Sequence, residues 1–319
     1  MNKFKSYVSG EMARIKNARK PKTYLLWATT VSCGLALMFT LVPARAQNKA
    51  RLSVGVKTDS NAIAVQGNTT RNFVPPTVFQ AAGPTVASIQ SSVDAFRAAL
   101  GNPNNGNAIG PLATGRREIN WDGGGANDTT TAPVTPFNVF LNTRGGQFTT
   151  PGTGLSQAPP SGGPQGGLVG LFNNATYGTS FRAFSPLRLF TPVGSNVTNA
   201  LFFLPGSNGN VAASVSGFGA VFTDVDQPDG SGPGKKQGNR GASTLMEFFD
   251  ANGELLFSSF VPASPGNGSV SFFGILYSDP RIAHVRIVAG DTAPGPDDDN
   301  KNDIVMMDDF IYGEPQIIP

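Results

Sequence analysis

Apolar positions follow two different rhythms along the chain. Val86, Ile89, Val93, Phe96 and Leu100 recur at spacings of three and four, which predicts a helix with one buried face. Pro84-Thr85 precedes it as a start signal, and Gly101 with Pro103 ends it. From Arg116 onward the rhythm shortens to strands. The candidates are Arg117–Trp121, Phe137–Leu141, Leu168–Phe172, Ala200–Leu204, Val215–Asp224, Thr244–Phe249, Leu255–Val261, Val270–Tyr277, Ala283–Ala289 and Ile304–Tyr312. Asp250-Ala251-Asn252-Gly253 lies between two aromatic-rich runs and predicts a hairpin, because Asn and Gly tolerate positive φ. The Gly/Pro-rich segments Gly145–Gly167 and Gln227–Gly241 are expected to be long surface loops. The fold expected is therefore all-β, a two-sheet jelly-roll or concanavalin-like sandwich with one N-terminal helix. No parallel βαβ alternation is visible, which argues against nucleotide-binding folds.

The ends of the chain divide this reading into parts. Residues 1–22 are rich in Lys and Arg, Thr23–Val42 is uncharged and mostly apolar, and Ala44-Arg45-Ala46 carries small residues three and one before a cut. Residues 1–46 are read as a signal peptide, and an uncleaved membrane anchor is the alternative. Residues 47–115 form an N-terminal extension with the helix and a strand at Leu52–Val56, 116–315 the sandwich, and 316–319 a tail. The expected location is secreted, extracellular or periplasmic, with no membrane contact after cleavage.

Charge is read differently once the signal is set aside. The full chain carries a net +3, but residues 47–319 hold 16 basic and 20 acidic residues, a net −4. No basic stripe is left for nucleic acid, so nucleic acid is excluded as a partner. The one cysteine falls in the signal and His284 is the one histidine, so thiolate and imidazole metal chemistry are excluded. Calcium, which needs only oxygen ligands, is not.

The carboxylates most in need of a partner lie in Ile304-Val305-Met306-Met307-Asp308-Asp309-Phe310-Ile311-Tyr312. Strand alternation puts Asp308 with Met306 and Phe310 on one face and Asp309 with Met307 and Ile311 on the other. Both faces are otherwise apolar, so the strand is expected to be buried, and a buried carboxylate requires a counter-charge or donors. In Arg117-Glu118-Ile119-Asn120-Trp121-Asp122, the residues Glu118, Asn120 and Asp122 share a face opposite Ile119 and Trp121. If the first and last strands of the sandwich are neighbours, Glu118, Asp122, Asp308 and Asp309 form a hard-cation site, with structural calcium as the expected cofactor. The alternative is that Arg116 or Arg117 pairs with an aspartate and no metal binds.

Four segments carry a resemblance. They are Arg116-Arg117-Glu118-Ile119-Asn120-Trp121-Asp122-Gly123-Gly124-Gly125, Gly217–Asp226, Phe248-Phe249-Asp250-Ala251-Asn252-Gly253 and Val305–Gly313. Together, over about Phe79 to Pro315, they resemble an uncharacterised group of secreted bacterial proteins, some of which end in a PEP-CTERM sorting tail. This chain differs from the tailed members in stopping at Ile317-Ile318-Pro319. The architecture is also distantly similar to carbohydrate-binding jelly rolls. That resemblance implies calcium held by carboxylates of the first and last strands, at Glu118, Asp122, Asp308 and Asp309.

The function expected is a secreted, calcium-stabilised binding module for a glycan or cell-surface polymer. Tyr177 and Tyr277, with Arg182 as a polar neighbour, are the candidate ligand-binding residues, because sugars stack on flat aromatic faces rimmed by polar groups. Trp121 shares a face with Ile119 and is expected in the core. The alternatives are a secreted glycan-active hydrolase and a structural surface or matrix protein. For the hydrolase, Glu is sparse and neither a paired-carboxylate motif nor a Gly-x-Ser-x-Gly elbow is present, so no catalytic residue is identified.

Overall fold

The computed structural model describes residues 74–123, 126–226, 244–296 and 302–318. The segment read as a signal peptide, the strand expected at Leu52–Val56 and the whole of the loop expected at Gln227–Gly241 lie outside the described residues. In chain order the elements are β1 (Thr77–Gly83), α1 (Val86–Leu100), β2 (Arg116–Ile119), α2 (Leu141–Arg144), β3 (Gly146–Thr149), β4 (Gly154–Ala158), α3 (Gly167–Phe172), α4 (Tyr177–Ser180), β5 (Leu189–Val193), β6 (Val197–Phe202), β7 (Ala213–Ser214), β8 (Gly217–Thr223), β9 (Leu245–Phe249), β10 (Leu255–Phe260), β11 (Val270–Leu276), β12 (His284–Val288), β13 (Met306–Gly313) and β14 (Gln316–Ile317).

The protein is mostly β. Two antiparallel sheets, neither of them closed, share one core. The larger has the order β1-β11-β8-β13-β5-β4, with β2 also paired to β13; the smaller has the order β10-β9-β12-β6-β3. β14 pairs with β7 in a separate short ladder. Phe148, Phe202, Met246, Phe248, Val285 and Ile287 of the smaller sheet meet Phe190, Phe218, Phe222, Phe273, Met307 and Phe310 of the larger one. The smaller sheet leaves its other face to solvent, so β6, β9 and β12 alternate buried and half-buried residues. The larger sheet is covered on its outer face as well. Ile89, Val93, Phe96 and Leu100 of α1 lie on Val221, Val270, Phe272 and Ile311, while α3 and α4 cover Leu189 and Met306. That second cover is why every residue of β8 and β13 is buried. Phe96 reaches the sheet over Gly219 and Gly274; a Cβ on Gly219 would lie 2.8 Å from the Phe96 ring.

Several sequence expectations are corrected. Leu168–Phe172 is a helix, not a strand. Four apolar side chains around Gly170 are too short a run to show a period, and here Leu168 and Phe172, four apart, share the buried face. Phe137–Leu141 makes an isolated bridge, Phe137 to Phe148, and then turns into α2. Gly145–Gly167 is not a long loop but contains β3 and β4, whose small and polar residues are sheltered by neighbours. β1, unmarked in the sequence, adds to the edge of the larger sheet beside β11.

A buried ion pair ties the chain's end to the loop before β2. Arg117 is fully buried and bidentate to Glu314, with Nε to Oε2 at 2.5 Å and Nη2 to Oε1 at 2.6 Å. Its Nη1 donates to the carbonyls of Gly106, Ala108 and Thr143. Glu314 in turn accepts from Asn105 Nδ2 and the Leu112 N–H. Removing one member leaves a buried, uncompensated charge. Arg117→Met is expected to lower stability by about 3–5 kcal/mol in urea unfolding, and Arg117→Met/Glu314→Leu to recover part of that loss.

Candidate functional site

The site grows from an irregularity in β13. Met307 pairs with Phe222 and Phe310 pairs with Ala220, so Asp308 and Asp309 together face the single residue Val221. This is a β-bulge, in which two residues oppose one and the strand's alternation slips by one position. Strict alternation fails here. Val305 and Met307 face the inter-sheet core, and so do Phe310 and Tyr312, three and five residues beyond Met307. The bulge also divides the strand's other edge. β5 pairs with Met307, while β2 pairs with Phe310 to Gly313. First and last sandwich strands are thus neighbours, and the two aspartates lie where the two ladders part.

Donors converge on that gap. The Ser185 hydroxyl is 2.7 Å from Asp309 Oδ1 and 3.2 Å from Asp308 Oδ1. The Phe184 N–H donates to Asp308 Oδ2 at 2.5 Å. Arg97, from the last turn of α1, reaches over the sheet and donates through Nη2 to Asp309 Oδ2 at 3.2 Å and through Nε to Glu118 Oε2 at 3.0 Å. Arg116 Nε holds Glu118 Oε1 at 2.6 Å. Trp121 seals the floor. Its ring stacks on Phe190 at 3.7 Å, and its Nε1–H donates to the Asp308 carbonyl.

Burial raises Asp308 well above its ordinary value; the Asp309 charge adds to this, and the Phe184 N–H opposes it. Asp309 is also raised, by burial first, with Ser185, Asp308 and Arg97 pulling the other way. Arg97 loses by burial but gains more from Glu118 and Asp309, and its net shift is upward.

Of the four expected calcium ligands, Glu118, Asp308 and Asp309 come together here. Asp122 turns its Oδ1 to the Leu187 and Arg188 N–H groups at 2.6 and 2.8 Å. The carboxylates are saturated by N–H and O–H donors, so as arranged they do not present an open oxygen cage for a metal. Among the described residues no group of three or more His, Cys, Asp or Glu is placed to hold an ion. Arg116 and Arg117, the arginines weighed as partners, go to Glu118 and Glu314 instead.

Tyr177 is fully buried with its hydroxyl on the Gly295 carbonyl, and Tyr277 is buried beneath Arg281. Neither offers a ring face to solvent. Arg182 is exposed and lines a shallow groove with Pro159, Pro160, Phe181 and Leu187.

A cleft of about 340 Å³ opens over the carboxylates, lined by Arg97, Asn104, Glu118, Asn120, Arg144, Ser185 and Asp309. Every lining side chain is polar. Arg97, Arg144 and Ser185 were missed by sequence reasoning. Arg97 is 212 residues from Asp309, and only its place beside Phe96 on the helix hinted that it would lie against the sheet.

The folded chain holds the Asp308 proton more tightly than the unfolded chain does. Stability is therefore expected to fall as pH climbs from the ordinary value of 3.8 toward the raised folded value. Asp308→Asn, which mimics the neutral acid, should flatten that decline, so its advantage over the native chain grows with pH. Urea midpoints measured from pH 4 to 8 check this; parallel curves would refute it. No family model, curated protein or solved structure matches this chain.

Proposed function

We propose that this protein is an exported sugar-binding module whose ligand site is the polar cleft above the β13 bulge. The observation that carries the reading is the lining. Two arginines, two asparagines, two carboxylates and a serine converge with no apolar side chain among them. Sugar hydroxyls both donate and accept, and planar amide, carboxylate and guanidinium groups can bridge adjacent hydroxyls. The cleft's size falls within the range of about 300–1,000 Å³ usual for small-ligand sites. Kinship with carbohydrate-binding jelly rolls and export through the N-terminal segment belong to the same reading. Among the described residues no helix is long and apolar enough to cross a membrane.

One observation favours a glycan-active hydrolase as second reading. Asp309, whose carboxyl burial raises toward its acid form, lines the cleft with Glu118, and glycoside cleavage uses a pair of carboxyl groups. Calcium is a separate proposal, supported by the convergence of Glu118, Asp308 and Asp309; the ion would have to take the place of the Arg97 guanidinium.

A glycan array followed by calorimetry on the mature chain tests the binding reading. Asn120→Ala, an exposed cleft residue, is expected to weaken a sugar hit about tenfold, which is about 1.4 kcal/mol. Release of reducing ends would favour the hydrolase, and silence across the array would leave a structural surface protein. For calcium, thermal melts in chelator and in millimolar calcium are compared. A higher transition with calcium supports the ion, and coincident transitions retire it.

A further inference from the structure

Two arginines line the cleft, and their circumstances are opposite. Arg97 is shared among Asp94, Glu118 and Asp309, and these acids raise its pKa despite burial. Arg144 has no such partner. Its Nε donates to the Asn107 amide oxygen at 2.8 Å, its Nη1 to the Glu118 carbonyl, and its plane lies 4.8 Å over the Phe140 ring. Among the described residues no carboxylate forms an ion pair with it. Burial lowers its pKa and the nearby Arg117 cation adds to that, while Tyr312 and, more weakly, Glu118 pull the other way without reversing it. The guanidinium is thus fixed on two nitrogens and one face, with Nη2 making no hydrogen bond among the described residues.

A half-buried cation without a counter-ion is a standing cost unless something else supplies the negative charge. The cleft's own acids do not. Glu118 is held between Arg97 and Arg116, and Asp309 between Arg97 and Ser185. Asp308 lies behind, toward its neutral form. Arg97 also pairs with Asp94, so Arg97, Arg116 and Arg144 stand against Asp94, Glu118 and Asp309 in equal number; what is unmatched is the position of Arg144, which pairs with none of these acids.

We infer that the ligand is a carboxylate-bearing sugar, a uronic-acid residue of an acidic polysaccharide, with Arg144 pairing its carboxylate and Asn104 and Asn120 meeting its hydroxyls. This rests on the sugar-binding reading above. A guanidinium already fixed in place loses little freedom on pairing, and its planar fork suits a carboxylate. The chain's overall negative charge disfavours diffuse adhesion of a polyanion, so binding would be site-borne.

Calorimetry with the mature chain would compare oligogalacturonate, a neutral oligosaccharide of equal length and a sulfated one. Uronate is expected to bind at least tenfold more tightly than the neutral oligomer, with affinity falling as salt rises. Arg144→Gln should erase that preference and spare weak binding of the neutral oligomer, and Arg144→Lys should restore only part of it. The comparison among the three oligomers needs no variant, so it stands even if Arg144→Gln fails to fold. Equal or tighter binding of the neutral oligomer overturns the uronate inference while leaving the sugar-binding reading intact. Binding of the sulfated oligomer without uronate overturns the choice of carboxylate. Silence with all three oligomers and across the glycan array overturns both readings.

Discussion

The architecture depends on burying a strand that carries two consecutive carboxyl groups. β13 is covered by the opposite sheet on one face and by α1, α3 and α4 on the other. A strand in that position gains from every apolar residue it contributes and loses heavily for a charge left without a partner. Asp308 and Asp309 would be ruinous in regular alternation, because one of them would point into the inter-sheet core. The bulge removes that outcome. It lets Met307 and Phe310 both face the core while the two acids are handed to Ser185, the Phe184 N–H and Arg97. The same bulge forces β5 and β2 to share one edge of β13 in succession, and the parting of those strands makes the cleft.

How far the sequence could reach follows from this. The face of α1 was legible, because Ile89, Val93, Phe96 and Leu100 are spaced as helix packing requires and all four are buried. The hairpin of β9 and β10 was legible from its Asp-x-Asn-Gly turn, and Asp250 does anchor that turn by accepting from the Asn252 and Glu254 N–H groups. The adjacency of β2 and β13 entered only as a condition of the calcium reading, whereas the demand of the aspartates for partners could be argued from burial alone. The identity of the partner could not. Arg97 reaches the acids through helix placement, a tertiary fact, and the phase slip at Asp308–Asp309 leaves no mark in residue type. β3 and β4 escaped because Gly146-Gln147-Phe148-Thr149 and Gly154-Leu155-Ser156-Gln157-Ala158 look like loop and become strands only between neighbours.

The alternation along β2 sorts two ionic arrangements with different consequences. Arg116 and Glu118 lie on the outward face, where Glu118 lines the cleft, while Arg117 and Ile119 are fully buried. Arg117 and Glu314 satisfy each other in full, with surrounding carbonyls and N–H groups taking the remaining valences. Such an arrangement specifies one position for the loop before β2 and has nothing left to offer a ligand. The outward arrangement is different in kind. It opens to a cleft, it includes exposed amides at Asn104 and Asn120, and it keeps one guanidinium without an acid.

That contrast locates function better than burial or charge taken alone. Polar groups inside a protein are tolerated when each has its partners, and natural structures meet this rule closely. The Arg117–Glu314 pair obeys it, as does the Asp308–Asp309–Ser185 set, and both are accounted for by stability. Arg144 meets that rule in its hydrogen bonds but, on a cleft of ligand size, has no carboxylate paired with its charge among the described residues. Its side chain is held by Asn107, the Glu118 carbonyl and the Phe140 ring, so the unmatched charge is fixed in position rather than free to swing into solvent. A fixed charge costs the folded state continuously, whereas a mobile one could relax into water. An anion arriving from outside would offset that cost, and this is the physical ground of the recognition proposal.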